Sequence, residues 1–164
     1  MDTVARCLLM CSILLMGLIA GLFYAGSTAL VGFDAMPKPD AIRAMQAINA
    51  HFRNWMFTAG FFGSLAVPAI TMIVFSAVRR WPVARWVLAG LLSYLIGAFA
   101  ITLVLSIPLN ESLLVLDGAR SNFTAVTEAY FDSWRFWNWV RMFASLLALG
   151  FLVIAFREEG RETG

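Results

Sequence analysis

Charged residues are scarce in this sequence, and their scarcity excludes most classes of soluble protein. Only 13% of the 164 residues are Asp, Glu, Lys or Arg, while 61% are hydrophobic and the mean hydropathy is +0.80. Soluble globular domains carry about 25% charged residues. The net charge is only +2 and no basic run is present, so nucleic acid is not predicted as a partner. Composition therefore predicts a membrane protein in contact with the lipid bilayer.

The residues that build familiar metal and cofactor sites are scarce too. His51 is the single histidine, and a single histidine does not supply a His-rich metal site. Cys7 and Cys11 lie one helical turn apart rather than in a C-x-x-C pair, and we interpret them as buried apolar thiols. The sequence also lacks a G-x-G-x-x-G fingerprint, a P-loop and a G-x-S-x-G elbow. No metal and no cofactor is predicted.

Long apolar runs are the dominant feature of what is present. Runs free of charge occupy residues 7–33, 55–78 and 86–109, and a fourth at 136–156 is interrupted only by Arg141. Each reaches the roughly 20 residues that span a bilayer as a helix. We predict an all-α integral membrane four-helix bundle that forms one transmembrane domain over residues 1–164. The first run exceeds the roughly 7 to 15 apolar residues of a signal peptide, so it is predicted to be a retained helix.

The segments between these runs are unequal. Arg79, Arg80 and Arg85 crowd the short link between the second and third runs. The positive-inside rule then places this link and both termini in the cytoplasm, and we predict a bacterial inner membrane protein. The tail "REEGRETG" at 157–164 is expected to be solvated. The other two links have about 20 and 26 residues, lengths that often accompany a functional site.

The first long link contains a helical pattern of its own. Pro37 and Pro39 end the preceding helix, and Asp40 can cap a new one. We predict an extra interfacial helix over about residues 40–53. Its apolar face comprises Ile42, Met45, Ile48 and Phe52, and another face carries Gln46, Asn49 and Arg53.

The second long link is predicted to turn at Asp117 and Gly118 and to become helical again from about Ser121. The six tryptophans fall at predicted helix ends, where indole rings settle at the headgroup level of a membrane. These residues are Trp55, Trp81, Trp86, Trp134, Trp137 and Trp139.

Arg141 is the only charge inside a predicted span. Such a charge costs at least ~2.5 kcal/mol on insertion scales, so it requires an anion or hydrogen-bond acceptors. Trp134 and Asn138 precede it at helical spacing and face the same way. Two interpretations stay open: an ion pair with Glu111 at the end of the third helix, or a ligand pocket at this polar cluster. The cluster would be completed by Gln46, Asn49 and Asn110.

A stripe of small residues runs along the first helix. It begins with the G-x-x-x-G motif of Gly17 and Gly21 and continues through Ala25 and Thr28. Small residues let helices approach closely. We interpret the stripe as a packing face inside the bundle, and a homo-oligomer contact is the alternative.

Four strings together resemble a known family. They are "AGLFYAGSTALV" at 20–31, "AMQAIN" at 44–49, "IPLNE" at 107–111 and the pattern "W..WN.VR" at 134–141. In order and placement they are similar to the anthrone oxygenase-like family of small four-helix membrane proteins. The resemblance implies a membrane-embedded oxygenase that converts polyketide anthrones to anthraquinones without a cofactor. Function is not known for most members of that family.

The resemblance also implies roles for particular residues. A base is needed to remove a proton from the anthrone carbon, and Glu111 and His51 are the candidates. His51 is alternatively a residue of a solvated helix face. Arg141, Asn138 and Gln46 would hold the developing oxyanion, and Trp134 and Trp137 would stack on a flat substrate arriving from the bilayer. The alternative function is a non-catalytic membrane protein that binds a hydrophobic small molecule or serves as a structural subunit.

Overall fold

The computed structural model describes residues 2–52, 54–114 and 123–163, and all regular structure in these ranges is helical. Arg53, the predicted turn at 117–118 and Ser121, where the helix was predicted to resume, lie outside the described residues. The helices are α1 (Asp2–Phe33), α2 (Lys38–Phe52), α3 (Trp55–Ala77), α4 (Trp81–Tyr94), α5 (Ile107–Leu114) and α6 (Phe123–Thr163), and two π-helical segments, Leu95–Ala100 and Thr102–Ser106, join α4 to α5.

Four helical stretches in the described part of the chain are long and apolar enough to cross a membrane. They are Thr3–Phe33, Trp55–Ala77, Trp81–Leu113 and Thr124–Arg161. The predicted all-α fold, with four long apolar helices and a short one between the first two, is therefore confirmed. The third stretch begins five residues before the predicted run, because Pro82 in the first turn favours helix initiation there.

The long helices form a ring. α1 packs against α3 and α6, and α4 packs against the same two helices. One end of the bundle, here called the terminal end, carries the start of α1, the α3–α4 link and the end of α6. The opposite end, here called the loop end, carries α2 and α5. The core of the ring is apolar and includes Leu9, Met16, Phe61, Phe75, Tyr94 and Leu152.

Helix α2 covers the loop end. Its buried residues Ala41, Ile42 and Met45 pack in a second apolar cluster with side chains of α1, α5 and α6. The Gln46 side chain donates a hydrogen bond from Nε2 to the Leu113 carbonyl over 2.9 Å. Asp40 lies in the first turn of α2 rather than at its cap. The short helix is thus a lid fixed to α5 and α6.

The π-helical segments distinguish the third long helix. A π-turn inserts a residue into the helix and rotates every side chain that follows, and such turns are frequent at functional sites. Here they leave Thr102 and Ser106 buried. Gly97 allows the first π segment to approach α6 closely, since an added Cβ would overlap the Cβ of Ala144.

Two interpretations of α1 are wrong. Cys7 and Cys11 are free and exposed, not buried. The small-residue stripe does not pack inside the bundle, because a Cβ added at Gly17 or Gly21 would meet no atom within 4 Å. The face of α1 that packs against α3 instead carries Ser12, whose hydroxyl lies 3.0 Å from that of Thr71.

The expectation of a solvated C-terminal tail is wrong for Glu159. Helix α6 continues to Thr163, and Glu159 is only 2% exposed. Its carboxylate lies 3.5 Å from Arg6 Nε of α1 and 3.4 Å from Arg80 Nη1 at the start of α4. A buried carboxylate requires such partners, and these two cations join three elements at the terminal end.

Candidate functional site

A cavity of about 510 Å³ lies inside the loop-end half of the bundle, beneath α2. A volume of this size lies in the range of small-molecule sites. Its wall is mainly apolar, with Leu22, Leu30, Met45, Ile48, Phe57 and Phe61 among the lining residues. The polar lining residues are Asn49, Thr102, Ser106, Asn110, Trp134, Asn138 and Arg141.

Arg141 of α6 is the one charged residue that lines the cavity, within the described ranges. It is 6% exposed. Nη2 donates to Asn138 Oδ1 over 2.8 Å, and Nη1 donates to Thr102 Oγ1 over 3.3 Å. The guanidinium also lies over two rings, with its carbon 4.7 Å from the Phe23 centroid and 5.7 Å from the Trp134 ring. Cation–π contacts of this kind stabilise a desolvated cation.

These contacts leave the guanidinium under-satisfied. It has five N–H donors, and two of them are used in the hydrogen bonds to Asn138 and Thr102. Nε has no partner among the residues that the structure describes, and no carboxylate of those residues forms an ion pair with Arg141. A buried cation normally has an anionic partner. The cavity is therefore suited to a ligand that presents an oxyanion or a strong acceptor.

Asn138 fixes the position of Arg141. It lies one turn before Arg141, and its Nδ2 donates to the Phe23 carbonyl and to Ser27 Oγ of α1, both over 2.7 Å. Its Oδ1 is thereby oriented toward the guanidinium. Gly26 makes room for this pair of helices, since an added Cβ would lie 3.3 Å from the Trp134 ring.

Three more lining residues carry buried atoms that make no hydrogen bond within the described part of the chain. They are Asn49 Nδ2, Ser106 Oγ and Trp134 Nε1. An unpaired buried donor costs about 1–3 kcal/mol, so each of these atoms requires a partner in the cavity, such as water or a bound ligand. All three surround the same cavity as Arg141.

Comparison with protein families matches this chain to a known family. A sequence model of the family described as anthrone oxygenase matches residues 52–151. The chain belongs to the anthrone oxygenase family. Comparison with curated proteins and with solved structures finds no match.

The family match and the cavity overlap only in part. Residues 52–151 include Thr102, Asn110, Trp134, Asn138 and Arg141, so the polar side of the cavity lies within the region shared with the anthrone oxygenase family. The α1 and α2 walls lie outside it. Those walls supply the Phe23 ring and carbonyl, Ser27 and Asn49.

The structure brings together five of the nine residues that the sequence predicted for the site. Asn49, Asn110, Trp134, Asn138 and Arg141 all line the cavity. Asn110 also accepts a hydrogen bond over 3.0 Å from the hydroxyl of buried Tyr130. The four that do not line the cavity are Gln46, His51, Glu111 and Trp137.

The predicted ion pair between Glu111 and Arg141 is not formed. Glu111 is exposed, whereas its neighbour Asn110 lines the cavity. Consecutive residues of a helix point about 100° apart, and in α5 the rotation of the helix turns Asn110 toward the cavity and Glu111 away from it. Thr102 and Asn138 take the place that Glu111 was predicted to occupy.

The other three residues also have contacts of their own. Gln46 holds α2 to α5. Trp137 is half-buried and packs edge to face against Phe136, with centroids 4.9 Å apart. His51 is exposed, and its Nδ1 lies 2.8 Å from the Ala47 carbonyl. It lines a second cavity of about 430 Å³ between α1 and α3.

Sequence reasoning missed Thr102, Ser106 and Ser27. Hydroxyl residues in a membrane helix usually bond to the backbone of the preceding turn, as Thr102 also does with the Ala98 carbonyl. No signal in the sequence distinguishes them from that role. Among the described residues, no three His, Cys, Asp or Glu side chains cluster in an arrangement that could hold a metal ion.

Proposed function

We propose that this member of the anthrone oxygenase family is a membrane-embedded oxygenase that acts on a lipophilic, anthrone-like aromatic substrate without a cofactor. The observation that supports the proposal best is the buried Arg141 guanidinium beside a mainly apolar cavity, with three N–H donors not engaged by described residues. An apolar chamber with one unsatisfied cation matches a flat apolar molecule that becomes an oxyanion during reaction.

The proposed reaction balances with dioxygen as the only oxidant. The CH₂ group of an anthrone, which lies between two aromatic rings opposite the ketone, loses a proton to water. The electron pair is delocalised onto the ketone oxygen, giving an aryl oxyanion. Dioxygen forms a bond to the former CH₂ carbon, and protonation gives a hydroperoxide. Loss of the second hydrogen with cleavage of the O–O bond releases water, so that anthrone and O₂ become anthraquinone and H₂O.

Arg141 is proposed to donate hydrogen bonds to the oxyanion that forms in the first step. Because Asn138 and Thr102 already fix the guanidinium, little reorganisation is needed when the charge appears. The indole of Trp134 lines the same chamber and offers an aromatic surface for stacking. The mainly apolar wall lowers the effective dielectric constant around the guanidinium, which would strengthen the interaction between cation and oxyanion.

Oxygen consumption tests the function directly. Purified protein in detergent is mixed with anthrone under air, and O₂ uptake is recorded together with the absorbance of anthraquinone. We expect one O₂ consumed for each quinone formed, at a rate well above that of protein-free micelles. A rate equal to that of empty micelles would contradict the oxygenase proposal for this substrate class.

Glu111→Gln and His51→Gln test whether either residue accepts the proton. Both side chains lie outside the main cavity, so each variant is expected to retain a turnover rate within about threefold of the native rate. Removing a true general base lowers the rate by roughly 10²-fold or more. A loss of that size in one variant, with folding retained, would assign the base to that residue.

A second candidate function is binding without chemistry. It is favoured by one observation: no carboxylate and no imidazole of the described residues lines the cavity. In that case a hydroxyanthraquinone would bind with a measurable Kd and an anthrone would bind without O₂ uptake.

We infer that the protein resides in a bacterial inner membrane with both termini in the cytoplasm. The cytoplasmic position of the termini is supported by Arg79, Arg80 and Arg85 at the terminal end. The loop end, with its lid and cavity, then faces the periplasm. The stripe at Gly17 and Gly21, where an added Cβ would meet no atom within 4 Å, is compatible with a homo-oligomer.

A further inference from the structure

The cavity reaches the outer surface of the bundle between α3 and the long helical stretch that runs from α4 to α5. Phe62 of α3, Leu103 of the second π segment and Ile107 of α5 all line the cavity. They are also 50%, 43% and 40% exposed, respectively. Side chains that border both the interior chamber and the exterior mark a gap in the wall of the ring.

Helical periodicity shows that this exterior is the lipid-facing surface. Phe62 continues an exposed stripe of α3 that includes Trp55, Ile70 and Ile73. The opposite wall has a matching stripe of exposed apolar residues, Leu88, Leu92, Ile96, Leu103 and Ile107. In a membrane span, the outward apolar stripe contacts hydrocarbon.

The position of the gap along the bundle also points to hydrocarbon. Phe62 lies about 10 Å along the helix axis from Trp55, at 1.5 Å per residue. Trp55, which is exposed at the start of α3, is a residue type that settles at the headgroup level. The gap therefore opens below the headgroups.

The two walls of the gap separate toward the loop end. α3 packs against α4 and, through fewer contacts, against the first π segment. The loop end itself is covered, because α2 buries Ala41, Ile42 and Met45 against α1, α5 and α6. Arg135 strengthens this cover by donating to Asp34 over 2.8 Å. The structure thus closes the aqueous end of the cavity more fully than its side.

We propose that the gap between Phe62, Leu103 and Ile107 is a lateral portal through which an uncharged polycyclic ligand passes from the bilayer into the cavity. Its rim is apolar, so a neutral molecule dissolved in hydrocarbon crosses it without losing hydrogen bonds to water. Arg141 lies inside the chamber and interacts with a ligand only after passage. The chemical class of the ligand rests on the proposed function, while the route rests on the geometry alone.

A competing route lies on the other side of α3. The second cavity, lined by Leu18, His51 and Met56, shares Leu22 and Phe57 with the main cavity. A ligand taking this route would pass His51 and Asn54 near the interface. Substitutions at the portal and at the second cavity between α1 and α3 therefore distinguish the two routes.

Ligand association in membranes tests the portal. The protein is reconstituted in phosphatidylcholine nanodiscs, and 1-hydroxyanthraquinone is mixed in while quenching of tryptophan fluorescence is recorded, with each variant normalised to its own starting signal. Ile107→Trp narrows the portal, and we expect the association rate to fall roughly tenfold with Kd changed by less than about threefold, because a narrower path slows association and dissociation alike. Phe62→Ala widens the portal and is expected to raise the rate.

Two matched variants complete the experiment. Ile96→Trp adds the same ring on the same lipid-facing stripe but away from the cavity, and it is expected to leave the rate unchanged. Leu18→Trp narrows the second cavity between α1 and α3 and is also expected to leave the association rate unchanged. The portal would be overturned if Leu18→Trp slowed association and Ile107→Trp did not, or if neither Ile107→Trp nor Phe62→Ala changed the rate. Because turnover is not measured, the experiment identifies the route even if the protein binds the ligand without oxidising any substrate.

Discussion

Replacing Arg141 by Met is expected to lower kcat/KM for an anthrone by about 10²–10³-fold while the bundle stays folded. The native guanidinium is the one charged group of the described residues that lines the cavity, and it has donors to spare for an oxyanion. Methionine fills a similar volume but donates no hydrogen bond. Because the cation lacks an ion-pair partner among those residues, its removal is expected to leave the unfolding temperature unchanged or raise it.

Arg141→Lys is the control that separates charge from geometry. An ammonium keeps the charge but lacks the planar guanidinium group. The guanidinium donates to Asn138 and Thr102 and still has N–H groups available for a ligand. We expect an intermediate rate. Initial rates and thermal unfolding in the same detergent provide both measurements. The catalytic assignment would be contradicted if Arg141→Met failed to fold and Arg141→Lys showed no higher initial rate than Arg141→Met. That result would show that the guanidinium is structural.

Replacing Asn138 by Leu is expected to destabilise the protein by about 2–4 kcal/mol. Asn138 is fully buried and makes three hydrogen bonds, to the Phe23 carbonyl, Ser27 Oγ and Arg141. Leucine has the same number of side-chain heavy atoms and the same branching, but it leaves the guanidinium with Thr102 as its one remaining acceptor among the described residues. The free energy of unfolding in mixed micelles is the appropriate measurement.

A double-mutant cycle tests the reason for that loss. If the loss of stability comes from a buried cation deprived of its acceptor, Asn138→Leu is expected to destabilise the Arg141→Met protein less than it destabilises the native protein. The two losses of unfolding free energy are expected to differ by at least about 1 kcal/mol. Ser27→Ala removes one of the other hydrogen bonds of Asn138 and serves as the matched control. Its loss of unfolding free energy is expected to be the same in the native protein and in the Arg141→Met protein. Equal costs for Asn138→Leu in the two backgrounds would show that the two side chains act independently.

The contrast between Asn110 and Glu111 shows where sequence reasoning about the site ended. Topology alone places both residues near Arg141, because α5 and the start of α6 meet at the same end of the bundle. Which of the two faces inward depends on the angular position of α5. Two π-helical segments precede α5 and change that angle, so the usual 100° per residue could not be extrapolated from the earlier part of the helix.

The burial of Glu159 at the terminal end of the bundle could likewise not be predicted from the sequence. In the sequence it belongs to a charged tail of the kind that is normally solvated. In the structure, Arg6 and Arg80 approach it from two other elements that are distant in the chain. No local pattern predicts such a convergence, because it depends on how three helices end at one level.

The scarcity of charge and the length of four apolar runs were enough to predict the helical membrane fold, since each run can satisfy its backbone hydrogen bonds only within itself. The sequence also showed that Arg141 needs a partner, because a charge inside a span is costly wherever the helices pack. Tertiary structure alone decided that Thr102 and Asn138 hold it, that Glu111 and His51 lie outside the main cavity, and that Phe62, Leu103 and Ile107 border both that cavity and the exterior. Each of these depends on the rotation and separation of neighbouring helices, which hydrophobic length does not determine.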